Sequence, residues 1–402
     1  MSIYLDGMFY RCSGVGRVCE NLFAAFAGHP ALGEIHTIVP LALKSRFLEQ
    51  FPHPAIRPRF VGYGPMGIGD LVFKSAVLRS LRKEVGLYFF PGHNVPLSVP
   101  GRYIVSVNDV TAFSPRFELP AWRKAGFHYL VSRAVHGAEV VVTISEPVKG
   151  DLVREFGLPP EKIRVIHPWV KEIFFGPAGD EPLPEPLQGK DYILYVGLRI
   201  AHKNVEGVLR AFLLLVDDFP ELRLVVAGGR YTTPDVVDRW KGDPRLTGRL
   251  IEIPDPSDGD IARLFGGAKA FVFPSFAEGF GLPPLEAMAS GVPVVCSDIP
   301  VFREVYGDAV LYVDPNRPES IAAALRELLI NPSLSSDLRA VGKKQASKYR
   351  GSQLMCASVA TRPHTQTNAL SAREVAIGPL GLAGTLHLPA SASALVVFAH
   401  GS

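Results

Sequence analysis

The stretch PSFAEGFGLPPLEAMASG, Pro274 to Gly291, constrains the fold more than any other part of the chain. It follows one apolar run, Ala270–Phe273, and precedes another, Val292–Cys296. Short apolar runs bounded by turn residues read as buried strands, so the segment reads as strand, loop, helix, turn and strand. Such units lie at the carboxyl edge of a parallel sheet, where open α/β sheets bind ligands. Gly279 and Gly281 let the loop backbone approach a ligand with no Cβ in between. Pro283 and Pro284 preset a first helical turn and lack amide hydrogens that the turn leaves unpaired anyway. Gly291 is a helix stop. The helix start, with its dipole and free N–H groups, reads as an anion site. Glu278 and Glu286 flank it. Carboxylates beside an anion site suit hydroxyl groups, as on a sugar ring and a ribose. The plainer alternative is a glutamate that merely favours a helix N-terminus.

The rest of the chain repeats this alternation. Apolar runs at Ile3–Asp6, Ile35–Val39, Leu87–Phe90, Tyr103–Val107 and Val140–Ile144 alternate with helical stretches near Asp70–Glu84 and Ala121–Val135. This pattern predicts a parallel α/β domain over residues 1–175. The proline- and glycine-rich segment 176–190 reads as a linker. A second set of runs follows at Tyr192–Val196, Arg223–Ala227, Leu250–Ile253, Ala270–Phe273, Val292–Cys296 and Ala309–Val313. With late helices at Pro318–Leu329 and Ser333–Tyr349, it predicts a second domain over 191–350. The fold class is therefore α/β, with two Rossmann-like doubly wound domains facing a cleft. A length of 402 residues accommodates both, and a composition 47% hydrophobic and 20% charged excludes disorder. A net charge of +3 gives no support to a nucleic-acid partner. Cys12, Cys19, Cys296 and Cys356 form neither a C-x-x-C pair nor a metal spacing, which suits reduced thiols in a cytoplasmic protein. The N-terminus reads as having no signal peptide, and no apolar run reaches the roughly 18 residues of a membrane span.

Several loops directly after strands carry chemistry. Ser13-Gly14-Val15-Gly16-Arg17 precedes a helical pattern over Val18–Phe26 and either cradles phosphate or forms a plain tight turn. It fails as a dinucleotide fingerprint, because Cys19 takes the third glycine position. Pro91–Asn94 and Asn108–Thr111 point to the same sheet edge. In the second domain, Gly197 to Asn204 places Arg199 and Lys203 after a strand, where cations suit a diphosphate. Asp258-Gly-Asp260 looks like a metal-binding D-x-D, but Ser257 followed by Asp260 fits a helix start better, so no metal site is expected. Lys74, Arg79, Arg82 and Lys83 on one helix, and Trp122 to Tyr129 on another, form basic stretches: either a solvated face or a peripheral membrane contact.

Glu278 and Glu286, spaced as Glu-x7-Glu around GFGLPP and followed by LEAMASG, closely resemble the donor-site motif of a known family. It is that of retaining GT-B glycosyltransferases, glycosyltransferase family 4 (group 1), mannosyltransferase-like members among them. Ser13–Arg17 resembles the family's first-strand loop, and Lys203-Asn204 its lysine loop. The resemblance covers roughly residues 1–350. It implies a nucleotide diphosphate-sugar donor seated mainly on the second domain, with no metal or other cofactor. Glu286 is then expected on the ribose and Glu278 on the transferred sugar. Lys203, Arg199 and the backbone at Phe280, Gly281, Leu282, Gly14 and Gly16 are expected on the diphosphate. Asp109 matches the acidic member of a His-Asp pair, whereas Asn108 stands where the family has histidine. His93 is either a stand-in or a structural histidine. Glu278, Asp109 and Lys203 are the expected catalytic set. The implied reaction moves a hexose, mannose from a GDP donor as first choice, with retention, onto a saccharide or lipid-linked acceptor in cell-surface polysaccharide or lipopolysaccharide synthesis. A glycoside hydrolase would leave the phosphate-binding residues unexplained. A GT-B nucleotide-sugar epimerase, or a donor-binding protein with impaired turnover, is the alternative. Beyond about residue 351 the resemblance stops. The end, GTLHLPASASALVVFAHGS, resembles the opening of an α/β-hydrolase but has no G-x-S-x-G after it. Residues 351–402 therefore read as a fusion or frameshift remnant that should pack poorly.

Overall fold

The computed structural model describes residues 1–11, 13–27, 29, 32–110, 120–177, 179, 181–229, 234–350, 371–377 and 382–388. The first unit contains strands β1 (Ile3–Leu5), β2 (Ile35–Pro40), β3 (Ile56–Val61), β4 (Leu87–Phe90), β5 (Tyr103–Ser106), β6 (Val140–Thr143) and β7 (Ile163–Val165). Its helices are α1 (Ser13–Phe26), α2 (Lys44–Gln50), α3 (Ile68–Ser80), α4 (Ala121–Gly137) and α5 (Glu146–Phe156). The seven strands lie in the order β3-β2-β1-β4-β5-β6-β7, every pair parallel. Central strands are apolar on both faces, as in Leu87–Phe90, where all four residues are buried. β3 was not anticipated, because Pro58 interrupts its pattern; it lies at the sheet edge, where a missing N–H is tolerated.

The second unit contains β8 (Tyr192–Val196), α6 (Val205–Leu213), β9 (Arg223–Ala227), α7 (Val236–Trp240), β10 (Leu250–Ile253), α8 (Asp258–Gly267) and β11 (Ala270–Phe273). It continues with α9 (Leu282–Ala289), β12 (Val294–Ser297), α10 (Pro300–Tyr306), β13 (Leu311–Val313), α11 (Pro318–Ile330) and α12 (Pro332–Ser347). Its parallel sheet runs β10-β9-β8-β11-β12-β13. The second core takes in Val170, Phe174 and Leu187, so chain on both sides of the composition-based 175 boundary packs there. Val170 N–H donates to Tyr349 O at 2.8 Å, bringing the end of α12 beside the crossing between units. Ser257 and Asp260 form a capping box at the start of α8, and Asp258 pairs with Lys171 Nζ at 2.5 Å.

Two expectations are corrected. The helix after the Ser13–Arg17 motif begins at Ser13 itself, so Gly14 and Gly16 lie in the first turn of α1. A Cβ on Gly16 would sit 2.7 Å from Phe9 O, and this close approach to the preceding loop requires glycine. Lys74 is not part of a solvated basic face; its side chain is fully buried. Beyond 350, the strands β14 (Ser371–Ile377) and β15 (Leu382–Leu388) form an antiparallel pair. Otherwise the expectation about that tail lies outside the described residues.

Candidate donor-binding site

Each sheet reverses its strand order once, between β1 and β4 and between β8 and β11. Ligand crevices of doubly wound sheets open beyond the carboxyl ends of such strand pairs. Beyond β8 and β11 the crevice holds the loops 197–204 and 274–281. Lys203 Nζ stands 2.5 Å from Glu278 Oε1 and 5.4 Å from the centroid of the Phe273 ring. Asn204 joins the two loops. Its left-handed backbone (φ 56°) ends the turn that carries Lys203, and its side-chain oxygen caps α6 by accepting from Gly207 N–H. Its Nδ2 donates to Pro274 O at 3.0 Å and to Pro315 O at 2.7 Å. Phe276 N–H donates to His202 O at 2.8 Å, a second tie between the loops.

Gly281, with φ 91°, precedes α9. A Cβ there would lie 2.1 Å from Tyr306 Oη, so only glycine fits. Tyr306 Oη donates to Gly281 O at 2.6 Å and fixes the loop. The amides of Phe280, Gly281 and Leu282 find no acceptor among the described residues, and Pro283 and Pro284 have none to offer. Three amides therefore remain for an anion at this helix start. Glu286 lies within α9 and is only 2% exposed.

The first unit meets this loop at Gly279. A Cβ on Gly279 would stand 2.0 Å from Asn108 O and 3.2 Å from Asp109 Cβ. Ser145, the N-cap of α5, donates through Oγ to Gly279 O at 2.8 Å. Asp109 and Glu278 thus converge from opposite units, and both act on His202. Burial first, then the neighbouring Lys203, pulls the His202 imidazole below its ordinary range, opposed by the two carboxylates. His93 is likewise lowered by burial, with Asp109 opposing; its ring packs edge-on against Phe127 at 4.8 Å. The carboxylate of Glu304 on α10 accepts from Glu146 N–H at 3.1 and 3.2 Å, a charge-favourable contact at the start of α5.

Arg199 is engaged in part by carboxylates. Its buried Nη1 pairs with Asp235 Oδ2 at 3.1 Å and with Glu252. Its N–H donates to Gly229 O at 3.4 Å, and its Nε and Nη2 are buried with no hydrogen-bond partner among the described residues. Gly14 and Gly16 lie beyond the end of β1, at the other strand-order reversal. The same region holds a buried cluster that the sequence reading overlooked. Lys74 Nζ lies 2.8 Å from Asp6 Oδ2, 2.6 Å from Asp70 Oδ1 and 3.3 Å from Asn94 O. Tyr4 Oη donates to Asp6 Oδ1 at 2.9 Å. Desolvation raises the Asp70 carboxyl above its usual range, with Lys74 opposing. The available signal was an acidic residue directly after β1 and a lysine amid apolar helix residues.

Solved structures share this architecture over most of both chains. The Anabaena protein Alr3699/HepE in complex with UDP and glucose superposes with a TM-score of 0.67 at 16% identity, over 87% of this chain and 95% of that one. Sucrose-phosphate synthase from Thermosynechococcus elongatus gives a TM-score of 0.64 at 16% identity, over 87% and 94%. Two parallel doubly wound units with a crevice between them define the GT-B fold of glycosyltransferases. Residues 183–345 match the family described as "Glycosyl transferases group 1". The O-antigen chain mannosyltransferase B of Escherichia coli is 30% identical over 270 residues, 65% of this chain and 70% of the relative. The Salmonella typhimurium O-antigen chain mannosyltransferase RfbU is 29% identical over 236 residues, 59% of this chain and 63% of the relative. The chain belongs to the group 1 glycosyltransferases and is a glycosyltransferase. No helix among the described residues is long and apolar enough to cross a membrane.

Proposed function

We propose that this glycosyltransferase moves mannose from GDP-mannose, with retention, onto a saccharide acceptor of a cell-surface polysaccharide such as an O-antigen chain. The observation that carries the reading is the Lys203–Glu278 pair beside the three open amides and buried Glu286 at the β8/β11 crevice. Glu286 holds the ribose hydroxyls, and Glu278 holds hydroxyls of the transferred sugar. Lys203 and the amides of Phe280, Gly281 and Leu282 bind the diphosphate and stabilise charge as it leaves. The acceptor hydroxyl oxygen bonds to the sugar C1 while the bond from C1 to the diphosphate breaks. The departing diphosphate takes the hydroxyl proton on the same face. Asp109 positions the reacting hydroxyl from the first unit. The names of the two mannosyltransferase relatives support the choice of sugar and pathway. The reaction needs no divalent metal, because lysine and helix amides supply the positive charge.

Exposed Phe73, Leu97, Trp122 and Tyr129, with exposed Arg79, Arg82 and Arg123 nearby in the chain, support contact with an anionic lipid surface on the cytoplasmic side. Donor turnover tests the main reading. GDP-mannose, UDP-glucose and ADP-glucose are compared with and without EDTA, and the product's anomeric configuration is read by NMR. Turnover of GDP-mannose to an α-linked product in EDTA is expected. Transfer from a uridine donor alone, or a β-linked product, would refute it.

A further inference from the structure

The chain crosses from the first unit to the second through residues 166–170. Ile166 N–H donates to Thr143 O at 2.7 Å, still within the first unit, whereas Val170 is buried in the second core. His167 lies between them. Its Nδ1 bonds Ile144 O at 3.1 Å, and a carbonyl only accepts, so the ring carries its proton on Nδ1. Its Nε2 faces Glu304 Oε1 at 4.0 Å, on α10 of the second unit. The ring itself packs on the second unit. Its centroid lies 5.6 Å from that of Phe280 and 5.8 Å from that of Tyr349, and Phe280 and Tyr349 lie 5.5 Å apart. All three separations fall within the range of favourable ring contacts, about 4.5–7 Å. Rings from the crossing, the donor loop and the residue just beyond α12 thus form one cluster. Phe280 is the member that carries chemistry: it is buried, and its amide is one of the three left open for an anion. A ring clamped from two sides fixes the backbone that bears it, so His167 helps to aim that amide. The first unit is reached by the same imidazole through Ile144, next to Ser145, whose Oγ holds Gly279 O at 2.8 Å.

We propose that His167 is a positioning residue for transfer: it couples the loop at Phe280 to the first unit at Ile144, so that the loop takes its reacting shape only while the two units are together. The proposal rests on the donor reading of that loop. The two halves of the coupling use different parts of the imidazole. Nδ1–H makes the contact with the first unit, and the ring face makes the contact with the loop.

Two variants remove these halves one at a time. His167→Phe keeps a flat ring and loses the N–H, whereas His167→Asn keeps a short N–H donor and loses the ring. Steady-state transfer from GDP-mannose and calorimetric donor Kd are measured on the full chain, with melting temperatures alongside. In His167→Phe, kcat should fall about tenfold, the upper worth of one neutral hydrogen bond, with donor Kd within about threefold. In His167→Asn, donor Kd should weaken by about threefold or more, while kcat stays nearer the unmodified value than in His167→Phe. An unchanged kcat in His167→Phe, or the same parameter lost in both variants in proportion to melting temperature, would overturn the proposal. Amide hydrogen exchange needs no ligand and separates this coupling from the donor reading. Exchange should quicken at residues 144–148 in His167→Phe and at residues 274–278 in His167→Asn, with β9 unchanged in both. Unchanged exchange in both segments would also overturn the coupling. Absence of GDP-mannose binding to the unmodified protein counts against the donor reading itself, and the exchange result then still decides the coupling.

Discussion

Gly279→Ala adds one methyl group at the point where the two units touch. That carbon would stand 2.0 Å from Asn108 O, whereas real Cβ contacts essentially never fall below 3.0 Å, so the surfaces must part by about 1 Å. Both obstructing groups on the Asn108 side are backbone, the oxygen at 2.0 Å and the carbonyl carbon at 3.1 Å, and no rotamer change relieves them. Parting the units also stretches the Ser145–Gly279 hydrogen bond of 2.8 Å and moves Asp109 away from Glu278. A misplacement of about 1 Å between reacting groups can cost about 10²-fold in rate, or about 2.7 kcal/mol of barrier. The proposed donor site lies on the second unit, so donor affinity should change little. Steady-state transfer assays with titrated GDP-mannose, alongside Gly242→Ala, where a Cβ meets nothing within 4 Å, as a neutral glycine-to-alanine control, should therefore show kcat down by about 10²-fold with donor Kd within threefold. Full activity in Gly279→Ala would mean that the observed approach of Gly279 to Asn108 is not the reacting geometry.

Other expectations follow from the buried charges and the contacts between units. Lys74→Met leaves Asp6 and Asp70 buried without their cation and should destabilise the protein by about 3–5 kcal/mol in urea unfolding. Because the folded Asp70 carboxyl titrates above its usual range, its contribution is favourable below the ordinary aspartate pKa and is lost as pH rises through the raised one. The Lys74→Met deficit should therefore shrink on acidification, and a deficit that grows at low pH would contradict this. Arg199→Met removes the Nη1 that pairs with buried Asp235 and with Glu252 and should lower the melting temperature in thermal unfolding. Glu304→Ala removes the carboxylate from the start of α5; hydrogen bonds to charged groups are worth about 1.5–3 kcal/mol, so small-angle scattering should register a more open pair of units.

Both sheets were legible because strands buried on two faces are apolar throughout, as Tyr192–Val196 and Ala270–Phe273 are. β3 was not, since Pro58 argues against a strand except at an edge, and edge position is a property of the finished sheet. The loop holding Lys203 and Glu278 was visible because glycines, prolines and charged residues follow directly on strand ends. Lys74 was misread because isolated lysines belong on surfaces; its partner Asp6 is far away in sequence and meets it only through packing. Arg199 follows β8 as a donor ligand would, and its Asp235 and Glu252 partners are distant in sequence and meet it only in the folded chain. Contacts such as Ser145 with Gly279, or Glu304 with the start of α5, leave no local pattern at all.

The central claim, a nucleotide-sugar held at the β8/β11 crevice by Glu286 and its neighbours, is tested most directly by donor-dependent thermal stability. A ligand at 100 times its Kd stabilises the folded state by about 2.7 kcal/mol. GDP-mannose should raise the melting temperature of the unmodified chain more than UDP- or ADP-sugars do, and Glu286→Ala should abolish that selective rise. An equal rise in Glu286→Ala, or no rise with any nucleotide-sugar, would contradict the assignment of this crevice as the donor site.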